Sequence, residues 1–431
     1  MIHPIENRYG SEEMREVFER ETKLNYLLDV ELALLRAHAE LGEIPKRAFE
    51  ELSFNRKKVT ISRVDEIEAE IRHDLMAVVK ALSETSEFGG YVHLGATSND
   101  IIDTAQALQM KRAMRIIFKD LEELKEILKG LALEHKKTIC IGRTHGQHAI
   151  PTTYGMKFAL FYSELERDLE RLKVTDKRIC GKMSGAVGTF ASLSPKVQKL
   201  VGEYLQIQMA DISNQIVPRD LHAELCCNFA ILASTLDKIS TEIRNLARTE
   251  IFEVSESFGK KQVGSSTMPH KKNPEICEKI SGLSRIIYSN TIPALLNNVS
   301  WHERDLTNSA PERVLIPENF LLMDEMLKCM KRVLKNLIFH HENIRKNLMM
   351  EKRVMAESVM LEMVRKGASR QEAHEILRKL ALKKGDFERL LRESKEVRRF
   401  LNEREIKSAL KPESYLGSAI ETVERVIGRD V

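Results

Sequence analysis

Apolar positions along this chain recur mostly at helical spacing. In four long stretches they step alternately by four and three. These are Met110, Met114, Ile117, Leu121, Leu124, Leu128 and Leu131; Phe158, Tyr162, Leu165, Leu169 and Leu172; Leu225, Phe229, Leu232, Leu236, Ile239, Ile243 and Leu246; and Phe320, Met323, Leu327, Met330, Leu334 and Leu337. Such seams bury one stripe of each helix and leave the other faces polar. Earlier in the chain, helical patterning from Glu12 to Leu41 stops at Gly42-Glu43-Ile44-Pro45. A second run, Ser62 to Ser83, puts Ile71, Leu75, Val78 and Leu82 on one face. His73 lies about 160–200° from Ile71 and Leu75, at ~100° per residue, and so points away from that stripe. No period-2 pattern competes. The prediction is an all-α chain of three helical domains, residues 1–93, 94–341 and 342–431. The four seams and a helix starting near Pro274 predict a central bundle of about five helices, each about 25–35 residues or 40–50 Å long. Helices of that length favour a homo-oligomer that continues the bundle across subunits.

Composition narrows the function classes. Of 431 residues, 42% are hydrophobic and 31% charged, which suits a folded chain with a large core. The 68 basic residues nearly balance 64 acidic ones, for a net charge of +4. A dedicated nucleic-acid binder would segregate its basic residues, so no nucleic-acid partner is expected, whereas the mild positive excess suits an anionic substrate. Cys140, Cys180, Cys226, Cys227, Cys277 and Cys329 form no C-x-x-C pair. The first eight residues lack the apolar core of a signal peptide, and no apolar run approaches the roughly 18 residues of a membrane span. The expectation is a reduced, soluble, cytoplasmic protein with no membrane partner.

Polar loops interrupt the helical pattern, and they carry the candidate chemistry. The richest is Gly264-Ser265-Ser266-Thr267-Met268-Pro269-His270-Lys271-Lys272-Asn273-Pro274. Its glycine permits unusual backbone, and its lysines and amides would favour a serine alkoxide; read alone, the same stretch also fits a basic linker. His93-Leu94-Gly95-Ala96-Thr97-Ser98-Asn99-Asp100 opens the longest helix, and either caps it or presents hydroxyls and amides to an anion. The loop Gly142-Arg143-Thr144-His145-Gly146-Gln147-His148-Ala149-Ile150-Pro151-Thr152-Thr153 places a histidine beside arginine, suited to proton transfer near neutral pH. His145 and His148 form H-x-x-H without an evident third ligand, so no metal is expected. Trp301-His302-Glu303-Arg304-Asp305 through Arg313 offers arginines for carboxylate or phosphate, or forms a salt-bridged turn. Gly181, Gly185 and Gly188 miss the nucleotide-loop spacings, and suit a tight turn and a close helix approach.

Taken together, these loops resemble the fumarase/aspartase superfamily, whose signature G-S-S-x-M-P-x-K-x-N is matched from Gly264 to Asn273. His270, the stretch Arg143–Ala149 and the stretch Trp301–Asp305 are similar to its adenylosuccinate branch. Fumarases usually carry glycine, and argininosuccinate lyases glutamine, at the position of His270. The likeness runs from Arg8-Tyr9 through the C-terminal helices. It implies β-elimination of fumarate from adenylosuccinate, giving AMP, and from the purine intermediate SAICAR, giving AICAR. It also implies a homotetramer with a 20-helix core, active sites shared between three subunits, and no cofactor. By this resemblance Ser265 is the general base, with Ser266 beside it as the alternative. His145 is the general acid, Lys271 and Asn273 hold the carboxylate that gains charge, and Glu278 orients the acid. Binding roles fall to Arg8, Tyr9, Arg72, His73, Asp74, His93, Thr97, Ser98, Gln215, Arg304, Ser309 and Arg313. His73 either shares the acid role or only binds. Pro218, before Arg219-Asp220, stands where the branch is expected to have glutamine.

Overall fold

The structure, a computed structural model, describes Ile5, residues 7–258, Met268 and residues 270–428. The first helical stretch is two helices, α1 (Glu12–Phe18) and α2 (Arg20–Glu40). Ser11 caps α1 by accepting the Met14 N–H, and Glu19, with ψ 153°, breaks the run the pattern had joined. Gly42 stops α2 as its position requires. It takes φ +75°, and the Glu43 N–H returns 2.9 Å to the His38 carbonyl. After α3 (Lys46–Asn55), the expected helix 62–83 is also divided, into α4 (Ile61–Ile71) and α5 (Asp74–Ser83). Arg72 is left-handed at φ 57°, while His73 is extended and accepts the Met76 N–H as the cap of α5. Local capping outcompetes an apolar stripe that would have carried straight through, and Ile71 is left partly exposed.

The long helices follow: α6 (Ser98–Glu134), α7 (Tyr154–Arg178), α8 (Pro195–Leu205), α9 (Asp220–Leu246), α10 (Glu275–Ser289), α11 (Thr291–Leu296), α12 (Ser309–Lys335) and α13 (His341–Met349). Short helices then occupy residues 356–427. Every seam residue named above is buried except Leu131 and Leu337. Helix α10, at 15 residues, is shorter than expected, and α6, at 37, is longer. A further correction concerns residues 139–153, of which Gly142 to Thr153 are expected as a polar loop. They form an antiparallel hairpin, β1 (Ile139–Thr144) and β2 (Gln147–Thr153), with a register shift between Ile141 and Arg143. His145 (φ 54°) and Gly146 (φ 74°) make a two-residue turn with positive φ at both positions, the conformation that matches strand twist. Gly142 and Pro151 had hidden the strands by interrupting their alternation. A second small pair joins β3 (Val254–Ser255) to β4 (Ile338–Phe339).

By backbone contact the chain divides into two compact units. One holds Met1–Glu122, Arg167–Asp237 and Ile280–Cys329; the other holds Glu123–Glu166, Lys238–Lys279 and Met330–Val431. Within the first, the long helices are cross-linked by polar contacts beneath their apolar seams. Lys111 reaches Asp176 (3.1 Å), Asn228 reaches Thr175 (2.7 Å), and Ser284 reaches Asp237 (3.3 Å). Phe229 meets Phe320 edge-on at 5.0 Å. Gly181 lets its loop lie against α6, since a Cβ there would come within 2.7 Å of Thr104 Oγ1. Within the second unit, Lys157 pairs with Glu242 (2.7 Å) and Lys331 with Glu123 (2.7 Å). Residues 355–410 form a separate apolar core there, around Val359, Met363, Leu377, Phe387 and Ile406.

Candidate active site

In the first unit the starts of α2, α5, α6 and α12 surround a cavity of about 440 Å³. Its floor is a buried ion network. The Arg219 guanidinium donates to both oxygens of Asp103 (2.8 and 2.9 Å) and to both of Glu312 (2.7 and 3.1 Å). Burial alone would raise the Asp103 carboxyl, but Arg219 and the Val217 N–H outweigh it and hold it at about 2. Arg219 is held more basic than usual, its two carboxylates outweighing burial. His222 stays neutral beside them, pushed to about 4 by burial and by Arg219.

Arg304 lies above this floor. Its Nη1 donates to Asn99 Oδ1 (2.6 Å) and Gln215 Oε1 (3.2 Å), while its buried Nε has no partner among the described residues. Arg313 donates to Asp74 at 2.6 Å. Burial works to raise the Asp74 carboxyl, yet the Leu75 N–H and Arg313 bring it below its usual value. Lys23, which also lines the cavity, is lowered by burial and by Arg313. Ser309 begins α12 at the cavity wall. Lys23, Arg304 and Arg313 stand at that wall among carboxylates that include Glu68 and Asp74, a mixed set with cations able to meet an anionic group.

Of the residues expected to bind, Asp74, Arg304, Ser309 and Arg313 line this cavity, and Gln215 joins it through Arg304. Arg8, Tyr9, Arg72, His73, His93, Thr97 and Ser98 do not line it. Arg8 is exposed and Tyr9 half-buried. Thr97 donates its N–H to Asp100 at 2.8 Å, so Asp100 braces the start of α6. His93 bonds through Nδ1 to Glu31 at 2.7 Å.

The second unit carries the expected acid. His145 is exposed at the tip of the β1–β2 hairpin. The hairpin is anchored by Glu253, which is fully buried and accepts from Arg143 (2.5 Å), Tyr154 (2.7 Å) and Asn347 (2.9 Å). Glu256, three residues on, accepts the N–H groups of Ile276 (3.2 Å) and Cys277 (2.7 Å) and so caps α10 from outside that helix. Lys271 and Glu278 are exposed and Asn273 half-buried; the Glu278 N–H closes the first turn of α10 on Pro274. Ser265, Ser266 and the rest of 259–267 lie outside the described residues. Residue-by-residue reading missed Asp103, Arg219, Glu312, Glu253 and Glu31. The available signal was a charge set inside an apolar run, as in Leu27-Leu28-Asp29-Val30-Glu31-Leu32.

Residues 7–288 match the family model described as Lyase, and residues 353–426 the one described as Adenylosuccinate lyase C-terminus. Adenylosuccinate lyase of Pyrococcus abyssi is 58% identical over 438 aligned positions, spanning 99% of this chain and 97% of that protein. The chain belongs to the adenylosuccinate lyase family. Its likeness to adenylosuccinate lyase of Methanothermobacter thermautotrophicus, at 48% identity over 99% of this chain and 98% of that one, agrees. Among solved structures, a fumarate lyase from Mesorhizobium sp. BNC1 superposes with a TM-score of 0.90 at 29% identity, covering 98% of this chain and 99% of that one. A 3-carboxy-cis,cis-muconate lactonizing enzyme from Pseudomonas putida gives 0.89 at 28% identity, covering 98% of each. The adenylosuccinate lyase family is thus separated from superfamily neighbours of like fold by sequence, not by architecture.

Proposed function

We propose that this chain eliminates fumarate from adenylosuccinate, giving AMP, and from SAICAR, giving AICAR. The observation that carries this is identity: 58% to an adenylosuccinate lyase along nearly the whole chain, against 28% to a lactonizing enzyme of like fold. Ser265 removes the proton from the carbon beside the carboxylate, and Lys271 with Asn273 stabilises the charge that this carboxylate gains. His145 protonates the departing nitrogen, oriented by Glu278, with His73 as an additional group near the reacting atoms. The cations of the cavity wall, Arg304 and Arg313, take the substrate phosphate with Ser309, an assignment supported by their grouping there. Arg8, Tyr9, Arg72, Asp74, His93, Thr97, Ser98 and Gln215 complete the binding set. Copies of the chain assemble as a homotetramer whose active sites combine loops of different subunits, in the cytoplasm. Among the described residues, no helix is long and apolar enough to cross a membrane.

Purified protein mixed with adenylosuccinate should show the absorbance change of conversion to AMP and fumarate. No turnover there, with activity on argininosuccinate instead, overturns the reading. Ser265→Ala should lower kcat by about two to four orders of magnitude with the oligomer intact. Unchanged turnover would remove Ser265 from the base role.

A further inference from the structure

Helix α2 carries a charge into the apolar core of the first unit. Glu31 is fully buried, with Val30 and Leu32 beside it in the same core. One carboxylate oxygen lies 2.7 Å from His93 Nδ1, and the other, also buried, has no partner among the described residues. A carboxylate removed from water is costly unless a cation or several donors compensate it. For packing alone an apolar side chain would serve better at this position. The contact carries a second cost. His93 sits at φ +66°, a left-handed geometry that costs a non-glycine residue roughly 1 kcal/mol or more. Its Nε2 has no partner among the described residues, so one edge of the ring is engaged and the other is free. Two unfavourable features meeting at one histidine point to a use other than stability.

We propose that Glu31 is the positioning residue for His93, its buried carboxylate fixing Nδ1–H so that Nε2–H is presented as a charged donor to an anionic group of the substrate. This rests on the proposed lyase function. The charged groups around the ring are few. Glu31 faces it from α2, and Asp100 from the start of α6, where Lys182 neutralises that carboxylate. His38, bonded to the Leu94 carbonyl (3.0 Å) and to Glu43 (2.5 Å), closes the far end of α2. Burial works to lower the basicity of His93, but the Glu31 bond outweighs it and the ring is more basic than an ordinary histidine. For a group so raised, the charge is present at low pH and lost as pH rises through the shifted value. Without Glu31 that loss moves to lower pH.

The test is the pH dependence of adenylosuccinate kinetics for the full-length protein and Glu31→Gln. The amide keeps the shape but not the charge. KM should rise about tenfold near pH 8 while kcat stays within about threefold, and the onset of the KM rise should move to lower pH. Glu31→Asp should restore part of the shift. A Glu31→Gln curve superimposable on the parent's, or kcat and KM changing in equal proportion at every pH, overturns the proposal. Absence of turnover by the unaltered protein would instead overturn the lyase reading. If Glu31→Gln fails to fold, nitrogen NMR of the native imidazoles across a pH titration decides the matter, with His93→Gln as the assignment control. A His93 ring that keeps its second proton to higher pH than an ordinary histidine, with Nδ1 remaining protonated, is expected; a ring that loses it at or below the ordinary range refutes the proposal.

Discussion

Replacing Asp103 by asparagine tests whether the cavity floor is held by charge or by shape. Asp103 is buried, and accepts two bonds from Arg219, one from the Val217 N–H at 2.8 Å and one from Asn99 Nδ2 at 3.0 Å. A carboxyl held at about 2 instead of 3.8 corresponds to roughly 2–3 kcal/mol favouring the ionised form in the folded state. The substituted amide also turns an N–H group toward donors that need an acceptor, and leaves Glu312 as the one charged partner of Arg219 among the described residues. Breaking a buried pair typically costs about 3–5 kcal/mol, so a loss of about 3 kcal/mol at pH 7 is expected. The pH dependence separates charge from packing. A carboxyl depressed on folding stabilises above its unfolded value near 3.9, and that stabilisation disappears as pH falls through the folded value near 2. Urea unfolding of the parent and Asp103→Asn at pH 7, 4 and 2.5, read by circular dichroism, should show the gap narrowing from pH 4 to 2.5. A gap below about 1 kcal/mol at pH 7, or one unchanged at low pH, refutes the account.

Two further outcomes follow from the packing. Gly188 has φ +79°, and a Cβ there would lie 1.9 Å from the Ser213 carbonyl oxygen, so Gly188→Ala should cost about 2 kcal/mol or more, measurable as a lowered midpoint in thermal unfolding. Glu253→Ala strips the anchor from Arg143, Tyr154 and Asn347, and should raise hydrogen exchange across residues 139–153 at least tenfold while α8 is unaffected.

Much of the architecture was readable because it follows from one periodic variable. Leu225 through Leu246 had to share a face on a helix, and all seven seam residues there are buried. The serine loop was readable for another reason: an uncommon string of small, cationic and proline residues is legible without knowing where it sits. The corner at Arg72-His73 was not, because the apolar stripe runs past it and the break depends on a side chain capping the next helix. The hairpin at 139–153 escaped because a glycine and a proline interrupt its alternation, while the ladder is completed by pairing across its own turn.

By itself the sequence determined the all-α class, the seam faces and the family signature. These are local or periodic properties, and each residue declares them without a partner. Only the tertiary structure decided that Arg219 would meet Asp103 and Glu312, which lie 116 and 93 positions away, or that Glu31 would face His93 across 62. Spacing cannot reveal such pairs, since the free energy of a buried charge depends on what folding brings within about 3 Å of it.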